Sequence, residues 1–241
     1  MVPSSLIRVS VCMALLLGIQ LRVDSKTYIL CIGMQNYPGR VNDTNLCAKD
    51  AKSVKWIFDK NGDSETMILL DKGATKASVI STMRQLFSKA NPEDAVAIFY
   101  SGHGNHGALC VYDGNLSYQD VYSAFLESKA KRRFAFINAC YSGTMRKMYD
   151  IEHLKGGNVM FLLSARSNEQ SIEDLKMKNG IFPAYLIQGL KGAADKNKDH
   201  AITARELYDF VSKKVIAKTG KRQHPVAWGR FSDNMPVMIW K

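Results

Sequence analysis

The segments AVAIFYSGHG (residues 95–104) and FAFINACYSG (residues 134–143) decide the interpretation of this chain. Each begins with a short apolar run rich in β-branched and aromatic residues and ends in a glycine-containing turn. Such runs are typical of buried strands in a parallel sheet. His103 follows the first strand and Cys140 follows the second. Because ligands bind beyond the carboxyl ends of strands in open α/β sheets, we expect an imidazole and a thiol to meet at one edge.

His103 and Cys140 are residue types suited to nucleophilic catalysis. The thiolate is the reactive form of cysteine, and a nearby imidazole can take its proton or stabilise it as an ion pair. The backbone N–H groups of Gly104 and Cys140 are candidates for an oxyanion hole. A lone buried cysteine or histidine is more often structural, but two of them in separate glycine-rich turns favour a catalytic pair.

The rest of the pattern predicts an α/β fold with a mostly parallel central sheet and helices on both faces, because strands and helices alternate. The strands are predicted at residues 26–33, 66–70, 108–112 and 159–165, and the helices at residues 45–60, 76–90, 117–126 and 179–190. The last apolar run, residues 235–240, is predicted to be an edge strand that closes the sheet.

The motifs SGHG (residues 101–104) and NACYSG (residues 138–143) resemble the catalytic turns of the caspase and metacaspase superfamily of cysteine peptidases. The order, histidine first, and the spacing of about 37 residues are similar to that family. The resemblance runs from about Lys26 to the C-terminus and implies one caspase-like domain, residues 26–241, built as a three-layer sandwich. It implies an endopeptidase in which Cys140 attacks the scissile carbonyl and His103 serves as general base and acid.

The resemblance also implies a pocket for the residue before the scissile bond (P1). The stretch LCAKDA (residues 46–51) is similar to the metacaspase segment whose acidic residue binds a basic P1 side chain, and Asp50 takes that position. Ser101, Asn138 and Ser164 are the other expected pocket residues. Asn138 stands where the family usually has a second acid. Arg or Lys at P1 would make a charge-assisted contact with Asp50, although a first-turn acid favoured by the helix dipole is the simpler interpretation without the resemblance.

Two alternatives stay open at this point. Residues 138–145 also resemble the cysteine turn of legumain-type asparaginyl endopeptidases, which share the fold. A catalytically silent, caspase-fold binding protein is the other alternative, although such a protein has no chemical need for both His103 and Cys140.

Residues 1–25 predict a secretory signal peptide. Arg8 precedes an apolar segment (Val9–Leu21) that is shorter than a typical transmembrane helix, and cleavage after Ser25 is expected. We therefore expect a secreted or periplasmic protein without a stable membrane span after signal removal. That compartment permits disulfides, but the cysteine spacing shows no framework, so Cys140 is expected to be free.

Composition narrows the range of partners. Hydrophobic residues make up 46% and charged residues 23% of the 241-residue chain, as in globular proteins. The net charge is +11, with basic clusters at residues 129–133 and 213–222. No nucleic-acid-binding motif accompanies this charge. We therefore expect peptide or protein substrates, no nucleic acid and a solvated basic face.

Residues 195–206 match part of a calcium-binding EF-hand loop, and this partial match makes weak candidates for calcium ligands of Asp195, Asn197, Asp199 and Glu206. His200 stands at the sixth position, where glycine is needed for the sharp turn. The simpler interpretation is a turn in which Thr203 caps the following helix. No cofactor is expected to be required, with calcium as the open alternative.

The polar loop at residues 144–157 contains three basic residues and follows Cys140. In the resembled family this loop can be cut to give two subunits. An enzyme that cleaves after basic residues would find its autoprocessing site here.

Overall fold

The computed structural model describes residues 25–144 and 158–240. The predicted signal peptide, apart from Ser25, and the predicted processing loop, apart from Thr144, lie outside the described residues. No helix within the described ranges is long and apolar enough to cross a membrane.

Six strands form the central sheet: β1 (Thr27–Gly33), β2 (Ser64–Leu70), β3 (Ala95–Ser101), β7 (Arg132–Asn138), β8 (Val159–Leu163) and β10 (Val226–Arg230). Between β3 and β7 in the chain, a separate small sheet contains β4 (Gly104–Asn105), β5 (Ala108–Val111) and β6 (Gly114–Ser117). The order across the central sheet is β10–β8–β7–β3–β1–β2. The strands from β2 to β8 run parallel, and β10 runs antiparallel to β8. The predicted mostly parallel sheet is confirmed.

Strands β3 and β7 lie side by side at the middle of this sheet and bring the two predicted catalytic turns together. They pair in parallel, with Ser101 opposite Asn138. All seven residues of β3 are buried, and so are six of the seven in β7. The turns that carry His103 and Cys140 therefore leave neighbouring strands at the same edge.

Helices cover both faces of the sheet, which gives the predicted three-layer α/β architecture. Apolar side chains of α1 (Cys47–Asn61), α4 (Ile181–Gln188) and α5 (Ala204–Lys218) pack on one face. Those of α2 (Lys76–Phe87) and α3 (Tyr118–Glu127) pack on the other. The fold class expected from the alternating pattern is confirmed.

Helix ends follow the local sequence signals. Gly62 ends α1 in the left-handed conformation, with a φ of 84°. Ser117 and Asp120 form a capping box at the start of α3, and Thr203 and Glu206 form another at the start of α5. The predicted cap at Thr203 is confirmed.

The predicted edge strand at residues 235–240 is wrong. This run forms β11 (Pro236–Ile239), which pairs with β9 (Ala201–Thr203) in a separate two-stranded sheet. Strand β10 takes the edge of the central sheet instead. Its Trp228 is 5% exposed, and the indole ring packs against Phe161 of β8 with ring centroids 5.5 Å apart. Burial of this large ring gives β10 an apolar anchor on β8.

Strand β1 and helix α1 are in such close contact that the fold depends on the absence of a side chain at Gly33. A Cβ atom there would lie 2.6 Å from the carbonyl oxygen of Cys47 and 2.9 Å from the Cβ atom of Ala51. We predict that Gly33→Ala lowers the free energy of unfolding by about 1–3 kcal/mol, because α1 must move outward. Urea unfolding measures this change.

Gly73→Ala is the matched control, because a Cβ atom at Gly73 would meet no atom within 4 Å. Equal unfolding free energies for the Gly33→Ala and Gly73→Ala proteins would contradict the predicted role of the close contact.

Candidate active site

The backbone of His103 is fixed by two buried tyrosines. The Tyr37 hydroxyl accepts a hydrogen bond of 2.8 Å from the His103 N–H. The Tyr100 hydroxyl lies 2.7 Å from the carbonyl oxygens of both His103 and Cys110. Because Tyr100 belongs to the central strand β3, the position of the His103 turn is tied to the core of the sheet.

The imidazole ring of His103 is oriented by a backbone carbonyl. Its Nε2 atom lies 2.8 Å from the carbonyl oxygen of Asn42. A carbonyl only accepts hydrogen bonds, so Nε2 carries the hydrogen and Nδ1 of the neutral ring is left to accept a proton. The Tyr37 ring packs against the imidazole, with ring centroids 5.0 Å apart. Sequence reasoning named only a His–Cys dyad and missed Asn42, because a main-chain carbonyl leaves no side-chain signal.

Cys140 lies in a tight turn directly after β7 and is partly exposed. The next residue, Tyr141, has a left-handed backbone with a φ of 56°. Its N–H donates to the carbonyl of Glu169 at 3.0 Å, and its carbonyl accepts from the N–H of Thr144 at 2.9 Å. These bonds hold a conformation that a non-glycine residue seldom adopts.

His103 and Cys140 line one cavity of about 520 Å³. The other residues of its wall are Tyr37, Asn42, Gly104, Asn105, Cys110, Tyr141 and Gln170. The structure thus brings together the two residues that the sequence analysis placed at one edge, with room beside them for a peptide group.

Gly104 lies directly against the Cys140 turn. A Cβ atom at Gly104 would lie 2.7 Å from the Cys140 carbonyl oxygen and 2.9 Å from the Cβ atom of Ala139. Gly104 begins β4 (Gly104–Asn105), which pairs with β5 (Ala108–Val111). In an antiparallel ladder, hydrogen-bonded residue pairs alternate with pairs that are not hydrogen-bonded. The N–H of Cys110 donates to the carbonyl of His103, so the next pair, Gly104 and Leu109, is not hydrogen-bonded. The Gly104 N–H therefore points away from β5.

The N–H of Cys140 has no acceptor among the residues that the structure describes. Together with the N–H of Gly104, it is available to the oxygen of a substrate carbonyl. Both predicted oxyanion donors therefore lie at the cavity that contains the thiol.

Three of the four predicted pocket residues form one buried network. Asp50 is fully buried and accepts hydrogen bonds from the Ser101 hydroxyl at 2.9 Å and from the Gly180 N–H at 3.0 Å. The side-chain amide of Asn179 donates to the same carboxylate at 2.8 Å. Asn138 donates to the Ser101 hydroxyl at 3.0 Å. Asp50 therefore joins α1 to the ends of β3 and β7 and to the start of α4.

Ser164 is placed differently from the rest of the predicted pocket. Its hydroxyl accepts from the N–H of Ala139 at 3.1 Å and contacts the hydroxyl of Ser171. These contacts support the backbone just before Cys140.

Burial controls the ionisation of the groups beneath the site. It raises the pKa of Asp50 to about 6, against the opposing effect of the hydrogen bonds from Asn179, Ser101 and Gly180. Burial also raises the pKa of Cys47 to about 12, so this thiol stays protonated and unreactive.

Glu173 is an acidic group near this network that sequence reasoning did not find. Its carboxylate lies 3.3 Å from the side-chain amide of Asn45 and 4.0 Å from the Cys47 sulfur. Unlike Asp50, Glu173 is partly exposed. Its sequence distance from the first helix leaves no local pattern that could have revealed the contact.

The acidic turn at residues 195–206 uses its oxygens internally. Asp195 accepts from the N–H groups of Lys198 and His200, and Asp199 accepts from the N–H of Ala201. The Glu206 carboxylate belongs to the cap of α5. In residues 25–144 and 158–240, no group of three or more His, Cys, Asp or Glu side chains is arranged to hold a metal ion.

Comparison with known proteins agrees with a fold of the caspase-like cysteine peptidase class. Residues 26–235 match the sequence model of the caspase domain family (Peptidase C14). The chain belongs to this family.

Relatives and solved structures extend the comparison. Two Metacaspase-1 proteins, from two strains of Cryptococcus neoformans var. neoformans serotype D, are each 34% identical to this chain over 105 residues. The matches cover 40% of this chain and 23% or 22% of those proteins, so it spans under a quarter of their length. A crystal structure of a Geobacter sulfurreducens protein superposes with a TM-score of 0.66 at 17% identity, covering 90% of this chain and 100% of that one. This likeness shows the fold.

We predict that the raised pKa of Asp50 makes stability depend on pH. The folded value of about 6 lies above the reference value of 3.8, so the folded state holds this proton more tightly. The free energy of unfolding should therefore fall as pH rises from about 4 to 6, by up to roughly 3 kcal/mol from this group. Urea unfolding of the wild type and of Asp50→Asn across this range measures the effect.

The difference between the two proteins isolates Asp50, because the other titrating groups are common to both. The same pH slope in the wild type and in Asp50→Asn would show that burial does not raise this pKa.

Proposed function

We propose that this protein is a secreted cysteine endopeptidase that hydrolyses peptide bonds after Arg or Lys with His103 and Cys140. The observation that carries the proposal is the shared cavity: in a chain of the caspase domain family, these two side chains line one opening beyond adjacent parallel strands. The proposed oxyanion donors Gly104 and Cys140 line the same opening.

The proposed reaction follows from the orientation of the imidazole. Nδ1 of His103 takes the proton of the Cys140 thiol, while Nε2–H remains bonded to the Asn42 carbonyl. The thiolate attacks the scissile carbonyl carbon, and the N–H groups of Gly104 and Cys140 stabilise the oxyanion. The tetrahedral species expels the amine, which takes the proton from the imidazolium. Water, deprotonated by His103, then hydrolyses the thioester and restores the thiol.

The proposed preference for Arg or Lys depends on local carboxylates, since the net charge of +11 repels basic peptides at long range. Asp50, which has no exposed surface, is the proposed base of the P1 pocket. Glu173 lies beside Cys47 and is partly exposed, so a P1 cation entering from solvent would contact it directly. Glu173 thus supplies a second negative charge in a pocket where Asn138 is uncharged.

The proposal also includes the expectations on secretion and on cofactors. The predicted signal peptide supports secretion, and the chain is proposed to work without a required cofactor. The internal hydrogen bonds of the turn at residues 195–206 support a structural role for this turn.

We predict that the wild type hydrolyses short fluorogenic peptides with Arg or Lys at P1. His103→Ala and Cys140→Ala should each lower kcat to near background, because the proton acceptor or the nucleophile is lost. Initial rates with P1 Arg, Lys, Asn and Asp peptides, measured with and without calcium, provide the test.

Other outcomes of this assay would favour one of the alternative functions. Cys140-dependent cleavage after Asn would keep the dyad and support the legumain-like alternative. Wild-type protein without any Cys140-dependent hydrolysis, even after limited proteolysis, would refute the peptidase proposal and support a binding protein.

The role of Glu173 gives a separate prediction. Glu173→Gln should lower kcat/KM for P1 Arg peptides about tenfold or more, because a hydrogen bond to a charged group contributes about 1.5–3 kcal/mol. Hydrolysis of a P1 Gln peptide should change little, since this side chain carries no charge. Rates on the matched pair of peptides measure the selectivity.

Glu93→Gln is the control, because Glu93 is exposed in the turn before β3, at the opposite end of that strand. An unchanged Arg-to-Gln ratio in Glu173→Gln would remove Glu173 from the pocket and leave Asp50 as the proposed P1 carboxylate.

A further inference from the structure

The backbone around Cys140 is held by a loop from the neighbouring strand. We call residues 139–144 the nucleophile turn and residues 164–172 the support loop. The N–H of Tyr141 donates to the carbonyl of Glu169, and the N–H of Gly143 donates to the carbonyl of Ala165, both at 3.0 Å. Ser164 and the Ser142 hydroxyl add further bonds between the two segments. The position of the nucleophile turn therefore depends on the position of the support loop.

The support loop is in turn fixed by a dipeptide before β10. The carboxamide of Gln223, which is fully buried, accepts from the N–H of Ile172 and donates to the carbonyl of Ser164, both at 2.9 Å. The carboxylate of Glu169 lies 2.8 Å from Nδ1 of His224 and accepts from the His224 N–H at 2.8 Å. The side chains of His224 and Glu169 are only 20% and 15% exposed.

The Glu169 carboxylate also closes its own turn. It accepts from the N–H of Arg166 at 3.3 Å, and the guanidinium of Arg166 lies 3.9 Å away. One side chain therefore shapes the turn at residues 166–169 and attaches it to His224. The carbonyl of this same residue holds the N–H of Tyr141.

We infer that Glu169 and His224 are positioning residues for Cys140, acting through the carbonyl of Glu169 on the backbone of Tyr141. A non-glycine residue in the left-handed region costs of order 1–3 kcal/mol and persists only where its surroundings hold it. Tyr141, with a φ of 56°, is such a residue. Release of the Glu169 carbonyl lets Tyr141 relax, and this relaxation turns the Cys140–Tyr141 peptide group and displaces Cys140, which carries the thiol and the proposed oxyanion N–H.

The inference predicts a specific kinetic pattern, and this readout rests on the proposed peptidase function. Glu169→Ala should lower kcat about 10²-fold, the loss that follows a misplacement of the reacting groups by about 1 Å. KM for P1 Arg peptides should change little, because the Asp50 carboxylate is held by Ser101, Asn179 and Gly180, which lie outside both segments. His224→Ala keeps its backbone N–H bond and should lose less activity. Glu169→Gln, which keeps one acceptor, should recover part of the kcat.

Asp209→Ala is the matched control. It removes an acid from an exposed pair with Arg205 on α5, and kcat should equal that of the wild type. A variant that only destabilises the fold would have a lower melting temperature, but kcat would not fall most in Glu169→Ala and less in His224→Ala and Glu169→Gln. A wild-type kcat in Glu169→Ala, or a raised KM at an unchanged kcat, would overturn the inference.

Hydrogen exchange separates this inference from the peptidase proposal. The amide hydrogen of Tyr141 should exchange slowly in the wild type and much faster in Glu169→Ala, whether or not any peptide is cleaved. Equal exchange in both proteins would overturn the inference. Faster exchange in a protein without hydrolytic activity would uphold the positioning contact and refute only the proposed function.

Discussion

The in-register pairing of β3 with β7 is the constraint on which the rest of the site depends. Ser101 stands opposite Asn138, so the residues two positions further along each strand, His103 and Cys140, leave the sheet side by side. A shift of one residue in this pairing would move every side chain of one strand to the other face. Because both strands are buried on both faces, such a shift would disrupt two hydrophobic cores at once. The geometry of the site is thus protected by the packing of the whole domain.

The polar network below the site depends on the same pairing. A carboxylate buried without hydrogen-bond partners is strongly unfavourable, and Asp50 is accommodated because three donors from two other parts of the chain converge on it. One donor, Ser101, is the last residue of β3, and Asn138 at the end of β7 fixes its hydroxyl. The network therefore forms only when helix α1, the central strands and the start of α4 are assembled. In this region, the hydrogen bonds that stabilise the fold are also the ones that shape the proposed pocket.

Periodic patterns made much of this fold predictable. The buried strands, the amphipathic helices and the cap at Thr203 depend on neighbouring residues, so local sequence reveals them. The edge of the sheet was not predictable in this way, since residues 226–230 and 236–239 are both short apolar runs near a tryptophan. Only tertiary packing of Trp228 on Phe161 distinguishes them.

The same distinction between local sequence and tertiary packing applies to the residues of the candidate site. His103 and Cys140 could be found because each has distinctive chemistry in a glycine-rich turn. Asn42 acts through a carbonyl, and Glu169 contacts His224 from 55 residues away. Neither contact leaves a pattern in the sequence, because any residue offers a carbonyl and long-range pairs have no fixed spacing. The resemblance assigns Ser164 to the pocket, and the structure adds a contact from its hydroxyl to the backbone of the nucleophile turn.

The division of labour between strands and loops follows from these contacts. His103 and Cys140, the proposed reacting groups, follow two buried strands at the middle of the sheet, where the sheet leaves little freedom. Apart from Asp50 of α1, the groups proposed to orient the reacting groups or to contact the substrate lie in loops: Asn42 lies after β1, and Glu169 and Glu173 lie after β8. Loops tolerate substitution better than core strands do. In the proposed pocket, a change of charge, such as an uncharged residue at Asn138 with a carboxylate at Glu173, can therefore alter the proposed substrate preference while the central strand pairing keeps His103 and Cys140 in place.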